Sequence, residues 1–176
     1  DNNNKGGVAL CDLDNDGDFD VVWTDAPDNQ TQALRQGPAG VFTPVPGALP
    51  AAGLGFDGVT CGDFDNDGDV DVVMTDGGRD YISRNDGGFT FSDGTPTPVA
   101  NFGALSGEGV VTGDYDRDGD LDLLINQGGG LVSVPNELWR NETNDANYIM
   151  VKALRGSRDA IGATVTLRSC AGSLVA

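Results

Sequence analysis

The sequence predicts an all-β protein made of β-propeller blades, three repeats of four short strands each. Three observations carry this reading. A nine-residue acidic segment, residues 12–20, recurs at 63–71 and at 114–122, each copy 51 residues after the last. Every copy is flanked on both sides by a β-branched or apolar run of about four residues, the length of a short strand. Gly accounts for 27 of the 176 residues and Pro for 8, so short strands joined by tight turns fit better than helices.

Each repeat reads in the same order. The first strand is Val8-Ala9-Leu10-Cys11, Val59-Thr60-Cys61-Gly62 or Val110-Val111-Thr112-Gly113. The acidic loop follows, and then a second strand, Val21-Val22-Trp23-Thr24, Val72-Val73-Met74-Thr75 or Leu123-Leu124-Ile125-Asn126. A third element contains Ala33-Leu34-Arg35-Gln36, Ile82-Ser83-Arg84-Asn85 or Leu138-Trp139-Arg140-Asn141. An aromatic strand closes the first two repeats, at Val41-Phe42-Thr43 and Phe89-Thr90-Phe91. The third repeat carries a Gly-rich insertion from Gln127 to Glu137, expected as a surface loop. The expected blades span about 1–57, 58–108 and 109–146. From 147 to 176 the pattern changes to a basic β segment with strands expected at 148–154 and 161–167.

The loop pattern D-x-D-x-D-G-x-x-D concentrates charge that only a cation can collect. The candidate ligands are Asp12, Asp14, Asp16, Asp18 and Asp20; Asp63, Asp65, Asp67, Asp69 and Asp71; and Asp114, Asp116, Asp118, Asp120 and Asp122. Positions 1, 3, 5 and 9 offer carboxylates, position 7 a backbone carbonyl, and the Gly at position 6 permits the sharp turn. The seventh-position side chains, Asp18, Asp69 and Asp120, are expected to point to solvent. An all-oxygen anionic cage argues for calcium, about three ions in all, and against zinc, copper or iron. An EF-hand needs Glu at position 12 and helices on both sides, whereas position 12 is Trp23, Met74 or Ile125 and the flanks are strands. Arg117, at position 4 of the third loop, is expected to face outward and offset charge.

Composition narrows the function. The formal net charge is −18, from 28 acidic and 10 basic residues, which argues against a nucleic-acid partner. There is no His, hence no usual general base and no usual transition-metal ligand. No run of apolar residues reaches the ~18 that span a membrane, so no membrane insertion is expected. No segment reads as a signal peptide, which fits a mature chain or a piece of one. Buried free thiols are the favoured reading for Cys11 and Cys61, over a bridge between them, and Cys170 stands apart.

The three loops, their apolar flanks and the Gly-rich approaches (Gly53-Leu54-Gly55-Phe56-Asp57-Gly58 and the segment 101–109) resemble the FG-GAP/VCBS repeats of integrin-α-like β-propellers. The segment Asn147-Tyr148-Ile149-Met150-Val151, followed by Arg158-Asp159-Ala160-Ile161-Gly162-Ala163, resembles the start of an ASPIC/UnbV segment, a combination similar to the cartilage acidic protein family. The resemblance implies a secreted calcium-binding module for adhesion or protein interaction. It assigns side-chain ligation to loop positions 1, 3, 5 and 9 and carbonyl ligation to position 7. A propeller has ~4–8 blades, so three repeats are expected to belong with further blades of the same protein or of a partner subunit.

An extracellular protein or a glycan is the expected ligand, and no enzymatic activity is expected, because no catalytic constellation remains once the carboxylates are spent on metal. A carbohydrate-binding or lyase-like propeller is the alternative. Trp23, Trp139, Tyr81, Tyr115 and Tyr148 are read as packing residues. The sequons at Asn29 and Asn141 are candidate glycosylation sites if the protein is secreted.

Overall fold

The computed structural model describes residues 6–24, 31–49, 56–76, 80–94, 106–128 and 135–143, together with 154–155, 158–159 and 166. The chain divides into two compact units, residues 1–144 and 145–176. In the second unit the described residues form a short hairpin, β12 (Leu154–Arg155) with β13 (Arg158–Asp159). The rest of the strands expected at 148–154 and 161–167 lies outside the described residues, as does the centre of the insertion, 129–134.

The first unit is all-β. Strands β1 (Val8–Cys11), β2 (Asp20–Trp23), β3 (Gln32–Gly37) and β4 (Val41–Pro44) form one antiparallel sheet in chain order. Strands β5 (Gly58–Gly62), β6 (Asp71–Thr75), β7 (Tyr81–Asn85) and β8 (Phe91–Asp93) form a second sheet of the same order. In the third, β10 (Asp122–Gly128) lies between β9 (Ser106–Gly113) and β11 (Glu137–Trp139). Among the described residues no helix is long and apolar enough to cross a membrane.

The registers are equivalent, as a sequence repeat requires. Val22 pairs with Ala33, Val73 with Ile82, and Leu124 with Leu138. Each acidic loop bridges the first two strands of its sheet, with Cys11 opposite Asp20, Gly62 opposite Asp71, and Gly113 opposite Asp122.

The sheets pack face against face, and the alternation of side chains along each strand supplies both faces. Val72 and Met74 of β6 join Leu13, Val22 and Ala33 of the first blade in one buried cluster. Val73, between them in sequence, points the other way and packs with Phe64, Val110, Leu123 and Ile125 in a second. Every residue of β6 is therefore buried. Each such aliphatic side chain contributes about 1.5–3 kcal/mol by leaving water, so the two interfaces are the main source of cohesion.

Several expectations change. Cys11 and Cys61 are joined by a disulfide, with Cα atoms 6.5 Å apart, rather than standing as free thiols. The fourth strand of the second blade begins at Phe91, because Phe89 sits in a turn with φ of 68°. Phe89 is nonetheless buried and meets Phe91 edge to face, ring centres 6.0 Å apart. Tyr81 packs edge-on against Phe56, as a packing residue should, and Trp139 is half-buried against the second cluster. Trp23 and Tyr115 are exposed instead. Tyr148 and Asn29 lie outside the described residues. The Asn141 amide donates through Nδ2 to the Phe64 carbonyl at 2.7 Å, so the nitrogen that would carry a glycan ties the third blade to the second.

At the end of β6 away from its acidic loop, Asp80 is only 2 % exposed, and its Oδ1 has no hydrogen-bond partner. Burial, with added repulsion from Asp76 and Glu137, pushes its carboxyl up to about 7 against the hydrogen bond from the Asp76 backbone. The folded state thus holds this proton more tightly than the unfolded chain. Stability from this group is full below about pH 4 and is lost as pH rises towards 7, by up to about 4 kcal/mol. Asp80→Asn is expected to gain stability over the parent steadily between pH 5 and about 7 in urea unfolding, and to level off above that. Parallel pH profiles for the two would contradict this.

Candidate metal centre

Each acidic loop is a small cage that its own backbone builds. The first carboxylate accepts from two amides across the turn. Asp12 takes those of Asp16 (3.1 Å) and Gly17 (3.0 Å), and Asp63 those of Asp67 (3.2 Å) and Gly68 (3.0 Å). Asp114 does the same with Arg117 (2.6 Å) and Gly119 (3.2 Å). The turn needs left-handed backbone at two places. Position 4 has φ of 58° at Asn15, 59° at Asn66 and 68° at Arg117, and the Gly at position 6 has φ of 91°, 96° and 100°. Asn tolerates this region and Gly adopts it freely, which explains N-x-G in the first two loops.

The ninth carboxylate opens the second strand and is buried in all three copies. Each of its oxygens accepts a backbone amide. Asp20 takes Leu13 N (2.9 Å) and Gln36 N (2.8 Å); Asp71 takes Phe64 N (2.9 Å) and Asn85 N (2.8 Å). Asp122 takes Tyr115 N and Asn141 N, both at 2.9 Å. This residue therefore locks the loop to the third strand of its own blade. Burial, opposed by these amides, still pushes Asp71 up to about 6, and Asp20 shifts upward for the same reason. A nearby cation is what would hold such groups ionised.

The outcome is three carboxylate triads: Asp12, Asp14 and Asp20; Asp63, Asp65 and Asp71; Asp114, Asp116 and Asp122. In each, one oxygen per residue lies within 4.8 Å of the others. Oδ1 of Asp14 and Oδ1 of Asp65 are buried and accept no hydrogen bond, while Oδ2 of Asp14 meets Arg35. Hard oxygen donors without nitrogen or sulfur fit a hard divalent cation, which these triads can hold.

Positions 5 and 7 have other partners. Asp16, Asp67 and Asp118 each accept the amide two residues on, at 2.9, 2.9 and 3.1 Å. The seventh side chains of the second and third loops do not point to solvent. Asp69 accepts from Asn15 (2.7 Å) and Asp120 from Asn66 (2.8 Å), each from the preceding blade.

One feature of the site was missed in the sequence. Arg35, Arg84 and Arg140 hold the same place on the third element of each blade, and each forms an ion pair with the third loop carboxylate. The pairs are Arg35 with Asp14, Arg84 with Asp65 at 4.0 Å, and Arg140 with Asp116 at 2.5 Å. The recurrence of Arg before Gln36, Asn85 and Asn141 was the available signal.

Sheets of equivalent register, each opened by the same acidic loop, define a protein built of repeated metal-loop blades. A family model of the FG-GAP-like repeat matches residues 12–74 and again 63–125. The chain belongs to the FG-GAP-like repeat family. No curated protein matches the chain significantly.

Proposed function

We propose that this chain is an extracellular calcium-binding β-propeller module for adhesion or protein interaction, in which calcium rigidifies each blade. The observation that carries the proposal is the threefold recurrence of one carboxylate triad at the mouth of equivalent strands. An ion there draws together the loop and, through Asp20, Asp71 or Asp122, the third strand. Calcium is favoured over magnesium because the loop pattern concentrates carboxylate oxygens and calcium accepts about 6–8 of them in irregular geometry, whereas magnesium demands a near-ideal octahedron and keeps its waters. The Cys11–Cys61 disulfide supports an oxidising compartment. The segment after residue 146 is read as the start of an ASPIC/UnbV-type element, as in the cartilage acidic proteins. We read the module as a binding scaffold rather than an enzyme, with an extracellular protein or glycan as ligand.

Extracellular calcium modules bind with Kd of about 10⁻⁴–10⁻³ M, so about 1 mM calcium adds on the order of 0.4–1.4 kcal/mol per site. Thermal melting is therefore expected to move upward in calcium and back down on chelation, with magnesium less effective. A melting temperature indifferent to both calcium and chelator would overturn the proposal.

A further inference from the structure

The arginines that follow the third strands' apolar residues hold equivalent positions, yet they meet the acidic loops in three different ways. Arg35 places its guanidinium on Oδ2 of Asp14, whose side chain is 2 % exposed. Arg140 divides its charge. Its Nε pairs with Asp116 at 2.5 Å, its Nη2 with Asp118 at 3.1 Å and its Nη1 with Glu142 at 3.3 Å. Arg84 turns elsewhere: Nε and Nη2 both donate to Oδ1 of Asp86, at 2.9 and 2.5 Å, and Asp65 is left at 4.0 Å. Asp14, Asp65 and Asp116 are the third-position members of the carboxylate triads. The guanidinium therefore sits on the triad in the first and third blades and is drawn off it in the second.

The cause lies two residues further along the chain. In extended backbone the side chains at i and i+2 share a face, so the residue two places after each arginine can stand beside it. That residue is Gly37, Asp86 or Glu142. Gly37 has no side chain with which to compete for Arg35. Asp86 has a short carboxylate on backbone held in the turn between β7 and β8, where its amide donates to the Thr90 carbonyl at 2.7 Å. It captures Arg84 through two nitrogens. Glu142 is longer and 74 % exposed, so water screens its pull, and it holds Arg140 through one nitrogen.

A positive charge on the third carboxylate opposes a divalent cation on the same triad. The ion must break the arginine's ion pair or sit beside a like charge, and either lowers its affinity.

We propose that each of these arginines is an internal counter-cation that competes with the bound ion, and that the residue two places after it sets the strength of the competition. The second blade's site is then the tight one, and the sites of the first and third blades are weaker. The proposal rests on the metal reading above. It adds a ranking of three sites whose D-x-D-x-D-G-x-x-D patterns are the same. Arg35, Arg84 and Arg140 set charge at the loop and are not ligands.

Isothermal titration of calcium into the intact chain tests it, beside Arg35→Gln, Arg35→Lys and Asp86→Asn, with folding of each confirmed by circular dichroism. The parent is expected to bind one ion tightly and two more about tenfold more weakly. Arg35→Gln moves one weak site into the tight class, and Arg35→Lys does not, because the ammonium keeps the charge. Asp86→Asn frees Arg84 for Asp65, and the tight class disappears. Urea unfolding in chelator gives a readout without calcium. There Arg35→Gln is expected to be less stable than the parent, because Asp14 loses its counter-charge, and Arg35→Lys to recover part of the loss. Three equal sites in the parent, or an Arg35→Gln chain with calcium affinity unchanged or lower, would overturn the ranking and leave the metal reading standing. Calcium binding by neither the parent nor Arg35→Gln would overturn the metal reading itself, and the ranking with it.

Discussion

Reducing the Cys11–Cys61 disulfide is expected to lower the stability of the three-blade unit by about 4 kcal/mol. The bridge joins cysteines 50 residues apart in sequence, and closing a loop of that size removes entropy from the unfolded chain on this scale. It also spans the first interface, where Cys11 belongs to the buried cluster and Cys61 packs against it. Marginal stabilities of ~5–15 kcal/mol make such a loss a large fraction of the whole. Urea unfolding with and without reductant, and of the Cys11→Ala, Cys61→Ala double variant, measures it. Both are expected to show the same lowered midpoint, and a midpoint unmoved by reductant contradicts the prediction.

The second large effect is expected at the ninth loop position. In Asp71 one carboxylate serves two buried amides, those of Phe64 and Asn85, and contributes to the triad. Asn offers a single acceptor oxygen, so Asp71→Asn leaves one buried amide unpaired at a cost of about 1–3 kcal/mol. That cost is independent of metal and is read in chelator. In calcium the variant is expected to lose further ground, because one site no longer fills. An Asp71→Asn chain as stable as the parent in chelator would show that the two amides do not depend on this side chain.

Much of the fold was legible because the repeat writes it three times. A period of 51 residues fixed which strands are equivalent, and apolar runs on either side of each loop fixed where they lie. The disulfide was legible in principle. Cys11 and Cys61 are 50 residues apart, one short of the repeat, so Cys61 matches Leu10 while Cys11 matches Gly62. Adjacent positions on a strand face opposite ways, and two such positions on neighbouring blades therefore face each other. Phe89 misled because an aromatic residue favours strands, yet two preceding glycines at positive φ make a turn that it completes. Tyr115 and Trp23 misled for a different reason. Their equivalents Phe64 and Met74 are buried against a neighbouring blade, a contact between blades that the local pattern does not carry.

Within the site, the triads come from positions 1, 3 and 9, spacings visible in the sequence. The roles of positions 4 and 7 were not visible, since Asn15 to Asp69 and Asn66 to Asp120 are contacts between blades. The same holds for Arg35, Arg84 and Arg140, whose approach to the third carboxylate depends on how the third strand lies beside the loop.

We propose that each blade's triad holds one ion. Isothermal titration of calcium into the chelator-stripped chain tests it most directly, run beside Asp20→Asn, Asp71→Asn and Asp122→Asn with folding confirmed for each. The predicted result is about three ions per chain for the parent, with one lost in each variant. Absence of calcium binding by the parent, or an undiminished count in all three variants, would contradict it.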